Sequence, residues 1–100
     1  MDGRERIAKL LDAVVGQARA LLDRGGLPPD EASNAMMFYV LADHLLSATR
    51  DAAQPLHPAA LAGGLRQLKA RCSGALADQR PQVEAALEEA ENVDWDYRTA

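Results

Sequence analysis

A single cysteine, Cys72, in 100 residues leaves no partner for an internal disulfide, and two histidines beside it fall short of the four ligands of a structural zinc site. Disulfide scaffolds and zinc fingers are excluded. Aromatic residues are also sparse: Phe38, Tyr39, Trp95 and Tyr97 are the whole set. β-Branched residues are few as well, so the side chains that favour strands are largely missing. No apolar run approaches the ~20 residues that span a bilayer. The N-terminus from Met1 to Lys9 is charged and alternating, with no secretory apolar stretch behind it. A cytoplasmic protein with no membrane segment is the expectation. Basic residues, 11 against 15 acidic, leave a net charge of −4. That balance works against sequence-independent attraction to phosphate and disfavours nucleic acid as a partner. Walker and dinucleotide glycine patterns are absent, and no Glu-x-x-His pair offers ligands for a di-iron centre. No metal, no cofactor and no enzymatic activity are expected.

What the chain does have is alanine and leucine, at 20 and 14 positions, within a composition that is 48% apolar. Both lead the helix scale, so the core predicted is made of helices. The length suits a single domain over residues 1–100. Ile7, Leu10, Leu11, Val14, Val15, Ala18, Leu21 and Leu22 step by three and four along one stripe, predicting a helix over about 4–24 that stops at Gly25-Gly26. Pro28-Pro29-Asp30-Glu31 places proline and carboxylates where the positive end of a helix dipole favours them, opening a second helix over 29–53. Prolines 55 and 58 end it and begin a third over 58–79.

The third stripe, Leu61, Leu65, Leu68, Cys72, Ala75 and Leu76, continues in phase through Val83, Ala86, Leu87 and Ala90 beyond Pro81. Either one long helix kinks at the proline, or a tight break starts a fourth helix over 81–92 with Pro81 in its first turn. Asp78, Gln79 and Arg80 suit a turn, so the break is the expectation. Gly63-Gly64 lies inside this pattern, where glycine costs about 1 kcal/mol relative to alanine. A frayed helix start is the expected explanation, and close approach of another backbone is the alternative. The architecture predicted is an all-α, three- or four-helix up-and-down bundle with short loops and an irregular acidic C-terminal tail over 93–100.

Chemistry-bearing residues are few. Cys72 falls in mid-stripe between Leu68 and Ala75, where a thiol acts as a small apolar side chain. His57 is in a loop. Arg66, Lys69, Arg71 and Arg80 make a locally basic stretch without the clustered Asn, Gln or Ser that reads base edges, and a solvated helix face is expected. Asp43-His44 is the one adjacent carboxylate–imidazole pair. On a helix the two point about 100° apart and cannot form a tight dyad. The stretch His44-Leu45-Leu46-Ser47-Ala48 resembles, at His44 and Leu46, the His-x-Leu-Lys-Gly pattern on the second of four helices in histidine phosphotransfer domains. The resemblance implies a phosphoacceptor role for His44. Ser47 replaces the lysine that would neutralise phosphate, and Ala48 replaces the glycine that lets a receiver domain approach.

Charge is unevenly spread. Residues 1–80 are net +1, whereas residues 81–100 are net −5 through Glu84, Glu88, Glu89, Glu91, Asp94 and Asp96, and Trp95 and Tyr97 sit among them. Aromatic anchors flanked by carboxylates predict a partner-binding segment aimed at a protein with a basic surface. The apolar arc of the second helix, about 200° wide, exceeds what two neighbours cover. A homodimer through Met37, Phe38, Leu41 and Leu45 is therefore expected. The functional expectation is a small non-enzymatic protein-binding module of adaptor, chaperone, antitoxin or inhibitor type, with the phosphotransfer role of His44 as the alternative.

Overall fold

A computed structural model of the chain describes residues 3–51 and 57–92. The helices are α1 (Gly3–Arg24), α2 (Pro29–Arg50), α3 (Pro58–Ala70) and α4 (Arg80–Asn92), and a 3-10 helix spans Gly74–Gln79. They make an all-α bundle, and the described residues contain no strand. α1 packs against α2 and α4, α3 packs mainly against α4 and more thinly against α2, and α2 and α4 are diagonal to each other.

The reasons are local. Of the predicted stripe of α1, Ile7, Leu11, Val14 and Ala18 are buried, and Leu10, Val15, Leu21 and Leu22 are partly buried against the same core. Gly25 and Gly26 stop the helix at φ +69° and +78°. Pro29 stands in the first turn of α2, where no N–H is needed, and Asp30 and Glu31 follow it. The other end of α2 is closed by α1: the Arg4 guanidinium donates to the Thr49 carbonyl through Nε and to the Asp51 carbonyl through Nη2, each at 2.6 Å. These are two of the carbonyls a helix end leaves unpaired, and a cation is the group the negative end of the dipole favours. Because the start of α1 meets the end of α2, the two run antiparallel. Thr49 is buried, and its hydroxyl donates to the Leu45 carbonyl at 2.7 Å.

Two boundaries differ from expectation. α2 ends at Arg50; the predicted 51–53 extension falls on one non-helical residue and two outside the described residues. α3 ends at Ala70, nine residues before the predicted end. The chain breaks over 71–73, and Gly74 takes φ +55°, a backbone shape that costs glycine nothing. Cys72 and Leu76 remain buried on either side of the break, so the apolar phase runs through it. Pro81 lies in the first turn of α4. The helical run is therefore interrupted before a fourth helix, but over 71–73 and not at 78–80. Gly63 and Gly64 also differ, since α3 begins at Pro58 and is not frayed at the pair. A Cβ on Gly64 would lie 2.6 Å from Leu45 Cδ2, so the Leu45 side chain occupies the space that the glycine leaves. Gly63 faces open space, and nothing in the structure explains it.

Candidate functional site

Two surfaces compete for the role of binding site. The first is the acidic face of α4. Glu84 lies 3.4 Å from Lys69 Nζ, Glu91 2.7 Å from Arg66, and Glu89 pairs with Arg6 of α1. Glu88 is exposed. The expected partner-binding residues Asp94, Trp95, Asp96 and Tyr97 lie outside the described residues. Three carboxylates that look like surplus charge in the sequence are thus answered by cations of α1 and α3. Each pair is solvated and adds ~0–1 kcal/mol of stability. Their larger effect is electrostatic: they shorten the reach of the negative field that would steer a basic partner.

The second surface is the outer face of α2. Met36, Met37 and Val40 are 50%, 51% and 57% exposed, the large apolar side chains left uncovered among the described residues. They share that face with Ser33, Asp43, His44, Ser47 and Ala48, all exposed. Steps of three and four relate these positions, so they form one stripe. Between Ser33 and Ala48 the only exposed charged residue is Asp43. By contrast the outer face of α1 is charged along its length, from Glu5, Arg6 and Lys9 through Asp12 to Arg19 and Asp23. Depletion of charge with enrichment in methionine is the composition of an interface centre, and the flexible thioether adapts to varied partners.

The expected dimer residues divide across this helix. Phe38 and Leu45 are buried in the chain's own core and present nothing to a second copy. Leu41 is half-buried against that core, and Met37 is exposed. The wide apolar arc is two faces: one packs on α1 and α3, the other meets solvent. Met36 and Val40, which share the stripe of Asp43, His44 and Ser47, belong to the exposed face.

His44 is exposed, and no hydrogen bond or ion pair joins it to Asp43. Cys72 is buried as expected, its thiol 3.3 Å from the Leu68 carbonyl. Burial pushes that thiol up, with Arg80 pulling it the opposite way. Among the described residues no cluster of three His, Cys, Asp or Glu could hold a metal, and no helix is long and apolar enough to cross a membrane.

One polar cluster was not anticipated, at the α3–α4 corner. The Asn34 side chain donates to the Arg71 carbonyl at 3.1 Å while Arg71 Nη1 donates back to Asn34 Oδ1 at 2.9 Å. Glu31 accepts from the Ala75 N–H at 3.1 Å, capping the 3-10 helix, and Arg80 donates to the Cys72 carbonyl at 3.3 Å. A shallow open groove is lined here by Asn34, Gln67, Ala70, Arg71 and Ser73. Asn34 and Arg71 bond each other reciprocally, so the cluster reads as a clasp between α2 and the corner. The pairings span 37 and 44 residues and have no local signature in the sequence. Nearby in sequence, the Gln79 and Gln82 side-chain carbonyls are buried without a partner.

No family model matches the chain, and no curated protein or solved structure matches it.

Proposed function

We propose that the protein is a small cytoplasmic, non-enzymatic protein-binding module whose contact surface is the outer face of α2. The observation that supports this most directly is the joint exposure of Met36, Met37 and Val40 on a stripe almost free of charge. Monomeric proteins seldom leave clustered large apolar side chains uncovered unless something binds there. The partner this face suits is apolar and weakly charged. The α4 carboxylates are a weaker candidate because three are already paired. A photo-crosslinking residue at Met37, compared with one at Glu88 in an extract of the native host, tests the reading. Adducts from position 37 and few from 88 are the expected result. Equal yields, or more from 88, would overturn it.

A second reading draws on the exposure of His44 on the second of four helices, the placement that the resemblance to histidine phosphotransfer domains implies. Ser47 and Ala48 supply neither the cation nor the clearance noted above. Incubation with a phosphorylated receiver domain separates the two, since the binding reading expects no acid-labile label on His44.

A further inference from the structure

Resting on that reading, we infer that the occupant of the α2 face is the same face of a second copy, packed antiparallel with Val40 on the two-fold axis. Three observations carry this.

The first is overlap. α2 runs from Pro29 to Arg50, so Val40 stands at its midpoint, and it is the most exposed of the three apolar residues. A specific interface needs roughly 800 Å² from each partner. One helix face about 33 Å long and ~10 Å wide approaches that figure only when two helices overlap along their whole length, with the flanks of α1 and α3 contributing. Antiparallel pairing centred on Val40 gives that full overlap. Pairing centred near either end does not.

The second is shape. Seven residues to either side of Val40 stand Ser33 and Ser47, both exposed, about 10 Å away along the axis and within ~20° of the same direction. Small side chains at these two levels let the helix axes come together. Three and four residues to either side stand Met36 and Met37 above, Asp43 and His44 below. Leu45 faces α3 at Gly64, and Arg50 lies 3.6 Å from Asp12 of α1, which fixes the sides of the stripe. Met37 and His44 lean toward α3, and Met36 and Asp43 lean toward α1. A two-fold axis across the helices reverses their direction and preserves these sides. Met37 then meets the second copy's His44, Met36 the second copy's Asp43, Ser33 the second copy's Ser47, and Val40 itself. The bulky half of each stripe faces the less bulky half of the other, twice over.

The third is charge. Each copy carries −4, so two copies repel except where charge is scarce. The α2 stripe is such a surface, with Asp43 its single charged group between Ser33 and Ala48. Parallel pairing would set the two Asp43 side chains level with each other. The antiparallel arrangement parts them by ~9 Å along the axis and aligns the helix dipoles head to tail.

Sedimentation equilibrium and disulfide trapping on the full chain test this together. The unaltered chain should sediment at twice 10.8 kDa at tens of micromolar, and Val40→Lys should weaken self-association at least tenfold while leaving the thermal unfolding curve of the dilute chain in place. Under mild oxidant, Val40→Cys should link to itself. Ser33→Cys alone and Ser47→Cys alone should not, whereas an equal mixture of those two should link to each other. The unaltered chain, with Cys72 buried, is the blank. A 10.8 kDa species at every concentration overturns the proposal, as does self-linking by Ser33→Cys as fast as by Val40→Cys. The photo-crosslinker at Met37 separates self-pairing from the broader binding role. If the photo-crosslinker at Met37 yields only adducts with a different protein, the binding role stands and self-pairing falls; no adduct of either kind removes both.

Discussion

Helices α2 and α4 lie diagonally across the bundle and treat their outer surfaces in opposite ways. α4 carries the densest charge, and its neighbours answer it: Lys69, Arg66 and Arg6 stand against Glu84, Glu91 and Glu89. α2 carries the largest exposed apolar side chains, and among the described residues nothing covers them. A helix can therefore be conspicuous in composition and already satisfied in space, or ordinary in composition and left open. Charge counted along the chain measures the first property. Only the placement of the neighbours measures the second.

The contrast is sharpest within α2 itself, where Phe38 and Met37 are adjacent yet belong to different worlds. Phe38 is fully buried, and its truncation to Ala should cost ~3–5 kcal/mol through lost transfer energy and the cavity left behind. Met37→Lys, on the half-exposed side, should change stability by no more than ~0.5 kcal/mol. Chemical denaturation of the two variants at a concentration where the chain is monomeric measures both. Similar losses would mean that α2 does not divide into an inner and an outer face, and the binding surface would lose its basis.

A smaller effect probes how firmly α2 is held against α3. Gly64→Ala puts a methyl group 2.6 Å from the buried Leu45 side chain. Leu45 must then shift or the helices part, at a cost of ~1–3 kcal/mol that outweighs the gain in helix propensity. Gly63→Ala meets nothing within 4 Å and should instead stabilise by ~0.5–1 kcal/mol. Thermal unfolding of the pair should show shifts of opposite sign. Two stabilised variants would show that Leu45 yields freely and that the seam is looser than its geometry.

These residues also mark what could be read from the sequence. α1 was legible because its apolar positions recur without interruption from Ile7 to Leu22 and glycines close it. The end of α3 was not, because Leu68, Cys72 and Leu76 keep steps of four across a break in the backbone, and periodicity reports burial whatever the helix type. Ser73-Gly74, a dipeptide that marks turns, was the signal that competed with it. The exposed face of α2 was half legible: the width of the apolar arc shows that more than one face is apolar, but not which residues meet the core and which meet solvent. The pairing of the α4 carboxylates was not legible at all. Glu89 and Arg6 are separated by 83 positions, and Glu91 and Arg66 by 25, so no local charge count can join them.

Those pairs supply the smallest expected effect. The side chains of Arg66 and Glu91 are 58% and 44% exposed, and an ion pair so well solvated contributes ~0–1 kcal/mol after the entropy of fixing two long side chains is set against it. Arg66→Gln should therefore lower stability by less than ~1 kcal/mol, and raising salt from 0.05 to about 0.5 M should shift unfolding of the unaltered chain only slightly. The electrostatic consequence should be larger than the energetic one. Replacing Arg6, Arg66 and Lys69 together by Gln leaves Glu84, Glu89 and Glu91 without the cations that pair with them. Association with a basic polypeptide, measured by stopped flow at low salt, should then accelerate several-fold, and the gain should vanish as salt rises. If the triple variant binds no faster, the α4 field is already unshielded. The acidic face would then regain its claim as the docking surface. If it binds faster, its pairing is what turns α4 away from basic partners and leaves α2 as the face that remains open.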